Sequence, residues 1–218
     1  MGRNQKDYFD YGDVYHIYNK VVTGQKLFES ECDYQYFLEK YMIYLSPYFD
    51  TFAYCLIPNH FHFLVKVKEK EMIDVSKEDT NAAKKYLDGE ESVNFFLENQ
   101  LSRMFSGIAL RHNRAIGREG ALFKEGTKRV LLKTENRMVY QLCYIHHNPI
   151  HHHLTKRYDA WRYSSYNAYL SRKPSRLQRE DMLEILDGID GFLEIHREFK
   201  LDMNEDLFGE FDGWKLGS

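Results

Sequence analysis

His60-Phe61-His62 sets two imidazoles two residues apart. On a β-strand, successive side chains alternate between faces, so positions 60 and 62 share one face and Phe61 takes the other. Both rings can then reach one metal ion, with a core phenylalanine anchoring the strand between them. A second set lies downstream. Tyr140, Tyr144 and Asn148 follow at i, i+4 and i+8, which lines them along one face of a helix. A tyrosine one turn before a carboxamide offers a nucleophile next to an oxygen ligand. A phenol with an unperturbed pKa near 10 is a poor nucleophile at neutral pH, so a nearby cation would have work to do. Each pattern also has an ordinary reading. The histidines can be a packed polar pair. With 17 tyrosines in the chain, two at helical spacing can be plain core residues. Spacing alone does not choose.

These residues need elements to carry them. Residues 14–22 (VYHIYNKVV) read as a strand rich in β-branched and aromatic side chains, and Thr23-Gly24-Gln25 turns the chain. Ser30 can cap a helix with Asp33 in its first turn; Tyr34, Phe37, Leu38, Tyr41, Met42 and Leu45 then recur at helical spacing until Pro47. Residues 51–57 (TFAYCLI) form a nearly continuous apolar strand, and Pro58-Asn59 connects it to the next. That next strand alternates cleanly, with Phe61, Phe63, Val65 and Val67 against His60, His62, Leu64 and Lys66. Residues 93–116 return to helical spacing through Leu97, Leu101, Met104, Phe105 and Ile108. Residues 127–133 (TKRVLLK) read as a short strand. Thr134 then caps a helix that Pro149 is expected to stop at Asn148. The order β-α-β-β-α-β-α predicts an α+β fold: a ferredoxin-like antiparallel sheet with helices on one face, plus a C-terminal helical extension.

Charge is segregated rather than absent. The chain of 218 residues carries a net −3, but residues 103–133 sum to +6 and residues 180–218 to −9. A near-neutral whole therefore does not exclude a nucleic-acid partner, because a local basic face is what binds phosphates. Arg103, Arg111, Arg114 and Arg118 fall within about 80° of one another at helical pitch. With Lys124, Lys128 and Arg129 they form the candidate DNA-binding face. Residues 68–91 hold thirteen charges and read as a solvated, partly helical insertion. In the acidic C-terminal stretch, Met182, Leu183, Ile185, Leu186, Ile189 and Phe192 are the candidate apolar contacts. No apolar run approaches the ~18 residues of a membrane span, and no signal-peptide pattern opens the chain. Cys32, Cys55 and Cys143 are scattered and odd in number, which points to reduced thiols and a cytoplasmic setting.

Several segments together resemble a known family. They are IPNHFHFLVKV, LFKEGTKRVLLK, YIHHNPI and WRYSSYNAYL, with YHIYNKVVTGQKLF near the start. In this order they are similar to the single-tyrosine HUH transposases, including the REP-associated tyrosine transposases. The likeness spans roughly residues 12–170. It implies that His60 and His62 are metal ligands, that Tyr144 is the nucleophile, and that Asn148 completes the metal site. It further implies a ferredoxin-like sheet with the tyrosine helix docked beside it, often as a homodimer. The implied partner is single-stranded or hairpin DNA, and the implied cofactor is a divalent metal, Mg²⁺ or Mn²⁺; the donor set does not select between them. Where relatives follow Asn-Pro with a short basic or glycine-containing turn, this chain has Ile150-His151-His152-His153.

The sequence thus divides into residues 1–158, a catalytic domain with the insertion at about 68–91, and residues 159–218, an acidic and mostly helical extension. The expected activity is metal-dependent cleavage and strand transfer of single-stranded DNA at hairpin or inverted-repeat sites through a 5′-phosphotyrosine. Two alternatives stand beside it: a host-retained hairpin-binding regulatory protein with the same fold, and a metal hydrolase with no covalent intermediate.

Overall fold

The computed structural model describes residues 6–200, so the end of the acidic extension, 201–218, lies outside the described residues. Four strands build one sheet: β1 (Val14–Lys20), β2 (Phe49–Ile57), β3 (His60–Val67) and β4 (Lys128–Leu131). Their order is β2-β3-β1-β4, every neighbouring pair antiparallel. The Pro58-Asn59 turn joins β2 to β3, and β1 inserts between β3 and β4.

The alternation in β3 decides the layers. Phe61, Phe63, Val65 and Val67 point into a core shared with α1 (Glu31–Tyr44) and α3 (Val93–Ala115), through Phe37, Tyr41, Phe96, Leu97, Leu101 and Phe105. Each fully buried phenylalanine is worth about 1.5–3 kcal/mol relative to exposure. Ser30 begins α1 as expected: Asp33 Oδ2 accepts from the Ser30 backbone N–H at 2.9 Å, closing a capping box.

This sheet with two helices on one face is the ferredoxin-like plan. The tyrosine helix α4 (Glu135–His151) covers the opposite face. There Ala53, Cys55, Ile57 and Leu64 meet Leu142 and Ile145 of α4. The same core takes in α5 (Tyr166–Leu170), α6 (Arg179–Ile185) and α7 (Ile189–Glu198) through Tyr166, Tyr169, Met182, Leu186 and Phe192. Ile189, expected among these contacts, is instead exposed at the start of α7.

Two further sequence expectations are corrected. The charged stretch 68–91 is partly helical but not wholly solvated. Its helix α2 (Asn81–Leu87), capped by Thr80, buries Ala82 and Ala83 and packs on α3. Val75 is buried as well. And α4 does not stop at Asn148: it runs to His151 with Pro149 inside it. A proline removes one N–H and disfavours helical backbone at the residue before it. Here Asn148 is buried against β3, its Oδ1 2.9 Å from His60 Nε2. The His152 N–H donates to Asn148 O at 3.0 Å and closes the last turn.

A buried polar chain ties α4 to the C-terminal helices. His196 Nδ1–H donates to Phe192 O at 2.7 Å, which leaves His196 Nε2 to accept from His146 Nδ1–H at 2.9 Å. His146 Nε2 then accepts from Ser165 Oγ–H at 2.7 Å. Ser165 Oγ accepts in turn from the Tyr54 N–H of β2 at 2.9 Å. All four ring nitrogens have partners, and both rings are neutral in this arrangement. No described helix is long and apolar enough to cross a membrane. Cys32, Cys55 and Cys143 are free thiols.

Candidate active site

The face of the sheet under α4 is where the polar residues collect. Strand pairing sets Tyr18 opposite His62, Lys20 opposite His60 and His16 opposite Leu64. All are even-numbered, so on neighbouring strands they project to the same side. Helix α4 crosses above them, begun by Thr134 Oγ1, which accepts from the Arg137 N–H.

His60 and His62 are both buried. The Asn59 side chain faces His60 Nδ1 with its oxygen at 2.8 Å. A carboxamide oxygen only accepts, so Nδ1 carries the proton and Nε2 carries the lone pair. That Nε2 faces Asn148 Oδ1 at 2.9 Å. Two acceptors thus oppose each other, and Asn148 Nδ2 is buried without a hydrogen-bond partner among the described residues. A half-turn of the amide would relieve this pairing by offering an N–H to His60. A cation relieves it with the oxygen left where it is, because both lone pairs then point at positive charge. The donor set therefore fits a divalent ion held by two imidazoles and an amide oxygen. Among the described residues no group of three His, Cys, Asp or Glu side chains converges.

Burial keeps the histidines in the ligand-competent neutral form. It pushes His60 and His62 well below the usual histidine range, and neighbouring imidazoles push further in the same direction. His16, fully buried on β1, is driven down to about 3 by burial. Its Nε2 lies 2.9 Å from His62 Nδ1.

Tyr144 stands edge-on to this group, its ring 5.6 Å from His62 at 90° and 6.2 Å from His16 at 77°. Tyr140, one turn earlier, packs on Phe199 beyond α7 at 5.3 Å. Continuation of α4 past Pro149 brings His152 to His60, ring centroids 4.8 Å apart. Burial, then His151 and Lys20, lowers His152 to about 4. Lys20 falls to about 8, through burial and then the nearby Lys124 ammonium.

His16 and Lys20 escaped the sequence reading, which singled out His152 only within the run His151-His152-His153, because each joins the site through tertiary pairing. The β1 alternation does carry a faint signal: His16, Tyr18 and Lys20 fall on one parity. Gln141 was also missed. It lies seven residues before Asn148, hence on the same helix face, and is buried with neither amide atom bonded among the described residues.

The structure spreads the expected basic residues over both sides of the sheet and buries Arg129. Helix α3 lies across the sheet from α4, so Arg103, Arg111 and Arg114 are on the far side from the histidines. Arg103 pairs with Glu78 at 2.7 Å, and Arg111 pairs with Asp33 at 3.0 Å while stacking on Tyr36. Arg118 falls beyond the end of α3, where it donates to Asn113 Oδ1 and Ala121 O. Arg129 is buried: the parity of β4 turns it toward α3, where it bonds Glu98, Asn94 and the Asp7 carbonyl. Lys128 pairs with Glu125 at 3.2 Å. Arg114 and Lys124 are exposed, and Lys124 is the one whose charge reaches Lys20 beside His60.

No protein-family model matches the chain, and no curated protein matches it by sequence. A solved structure of a REP-associated tyrosine transposase bound to a REP hairpin does match in fold. The TM-score is 0.52 at 16% identity, over 80% of this chain and 89% of that one. The chain thus has the fold of a tyrosine transposase: a four-stranded antiparallel sheet in an α+β arrangement.

Proposed function

We propose that this chain is a transposase-like enzyme that cleaves and rejoins single-stranded DNA at hairpin or inverted-repeat sites. The reading rests on one observation: Tyr144 stands edge-on to His62, while His60 Nε2 and Asn148 Oδ1 oppose their lone pairs at 2.9 Å. The fold shared with a hairpin-bound tyrosine transposase supports hairpin DNA as the partner.

His60, His62 and Asn148 would hold Mg²⁺ or Mn²⁺. When bound, that ion polarises the scissile phosphate and neutralises the charge that builds on it. The protein's own residues do the rest. Tyr144 Oη attacks phosphorus in line. The phosphate–O3′ bond breaks as the phosphotyrosine bond forms, leaving a 5′-phosphotyrosine and a free 3′-hydroxyl. The phenol gives up one proton and the departing 3′-oxygen gains one, so none is consumed overall. The bond to Tyr144 stores the phosphodiester energy, and a second 3′-hydroxyl can rejoin the strand without ATP. Lys20 and Lys124 supply positive charge along the approach to His60. A non-covalent metal hydrolase fits less well, since no Asp or Glu joins His60 and His62 as a third member of a metal-binding group among the described residues.

The test uses a labelled hairpin with single-stranded flanks and Mn²⁺. Cleavage should vanish in His60→Ala and in His62→Ala, and should be lost and regained as EDTA is added and then overcome with Mn²⁺. Full cleavage in excess EDTA would remove the metal from the account. Hairpin binding with no cleavage under any condition would leave the binding-only alternative.

A further inference from the structure

We infer that His16 is a positioning residue: its Nε2 accepts the His62 Nδ1–H and thereby leaves the His62 Nε2 lone pair for the metal. The inference rests on the proposed reading that His60, His62 and Asn148 hold a divalent ion.

The two rings meet at 2.9 Å, nitrogen to nitrogen, in a buried site. At that separation one proton lies between the two nitrogens. There are two assignments. If His16 Nε2–H donates, His62 is protonated on Nε2 and cannot ligate. If His62 Nδ1–H donates, His62 Nε2 is a ligand and His16 carries its own proton on Nδ1. A metal on His62 therefore requires an acceptor at position 16. The partner histidine supplies the parallel: His60 Nδ1 faces an acceptor that cannot donate, the Asn59 amide oxygen at 2.8 Å. Each ligand histidine thus has its back nitrogen engaged by a different residue, as metal-binding imidazoles usually do.

The surroundings fix the ring planes. Tyr18 stacks on His16 at 4.8 Å and 16°, and lies over His62 at 5.9 Å and 20°. His16 and His62 are themselves within 14° of parallel. Tyr144 meets both rings edge-on. A group that rotated His62 would therefore disturb the ring against which the nucleophile packs. Unlike an amide oxygen, the His16 imidazole can play either role, so its tautomer is coupled to metal binding.

The experiment compares His16→Phe, which keeps a flat ring but offers no acceptor, with His16→Gln, whose amide oxygen can accept. Mn²⁺ affinity is measured by titration calorimetry on the full chain without DNA. His16→Phe should bind Mn²⁺ about 10–100-fold more weakly than the unaltered protein, the usual loss when an outer-shell partner is removed. His16→Gln should stay within about threefold on the same argument. Thermal melts confirm that each variant is folded. A direct reading needs no variant at position 16: ¹⁵N-histidine NMR of the unaltered protein saturated with Mg²⁺ should give His62, assigned from His62→Gln, as the Nδ1–H tautomer. His62 carrying Nε2–H under those conditions would overturn the inference, and so would unchanged Mn²⁺ affinity in folded His16→Phe. Mn²⁺ binding that survives His62→Ala would overturn the metal reading itself, and this inference with it; that failure shows before position 16 is touched.

Discussion

Acidification should unlock the helix that carries Tyr144. The folded protein holds His16 and His196 neutral, with burial driving them down to about 3 and about 4, whereas each takes up a proton near pH 6.5 in the unfolded chain. The unfolded state therefore binds more protons as the pH falls, and stability drops from about pH 6.5 down toward the folded values. At pH 5.0 the unfolded chain has gained about 1.5 pH units of protonation free energy per ring, about 2 kcal/mol each. The pair loses about 4 kcal/mol, a large part of the ~5–15 kcal/mol that holds a domain together. His60, His62 and His146 are shifted well below 6.5 as well and add in the same direction. Protonating His146 or His196 also breaks the chain that anchors α4 to Ser165 and α7, since neither ring could then accept at its former acceptor nitrogen. Urea unfolding followed by circular dichroism, in EDTA, at pH 7.5 and 5.0 measures the effect. At a slope of about 2 kcal/mol per molar urea, 4 kcal/mol moves the midpoint by about 2 M. His196→Gln should shrink the pH-dependent loss by about 2 kcal/mol, one titrating ring fewer. Equal urea midpoints at the two pH values would refute the neutral, hydrogen-bonded assignment of these rings.

Arg129→Met tests the buried placement of Arg129. It should destabilise the fold by about 1–3 kcal/mol, by removing the donor to Asn94 and Asp7, while the folded variant binds hairpin DNA within about twofold of normal. Lost hairpin affinity without lost stability would return Arg129 to the DNA. Lys20→Gln and Lys124→Gln should each reduce the log–log salt slope of hairpin binding by about 0.7–0.9, whereas Arg103→Gln, which leaves Glu78 behind on the other side of the sheet, should not. The opposite pattern would move the phosphate track to α3.

What the sequence made legible, and what it hid, follow from how local each signal is. The β3 alternation is strict over eight residues, so the shared face of His60 and His62 could be read directly. Ser30 and Asp33 hold a complete capping box within four residues, and α1 begins where they say. The end of α4 was misjudged because Asn148 is buried beside His60, eighty-eight residues away, a placement that no local signal carries. Pro149 is the louder local signal, and tertiary structure overrode it. Arg129 was assigned outward because residues 127–133 carry no alternation to fix parity; only pairing with Ile17 turns it toward α3. His16 and Lys20 were silent for a related reason, and His152 was visible only as one of the run His151-His152-His153. Each meets His60 or His62 through strand register or through helical turns beyond the proline. Charge clustering likewise hid the partners: Arg103 and Arg111 pair with Glu78 and Asp33.

The central claim is that Tyr144 carries the DNA. A hairpin with single-stranded flanks, incubated with Mn²⁺, quenched in denaturant and digested with trypsin, should give a modified peptide that begins at Met138 and contains both Tyr140 and Tyr144. Fragment-ion mass spectrometry should locate the nucleotide, linked through a 5′-phosphate, on Tyr144, and Tyr144→Phe should abolish the adduct while Tyr140→Phe retains it. A nucleotide on Tyr140, or on a β1 tyrosine such as Tyr15 or Tyr18, would contradict the account.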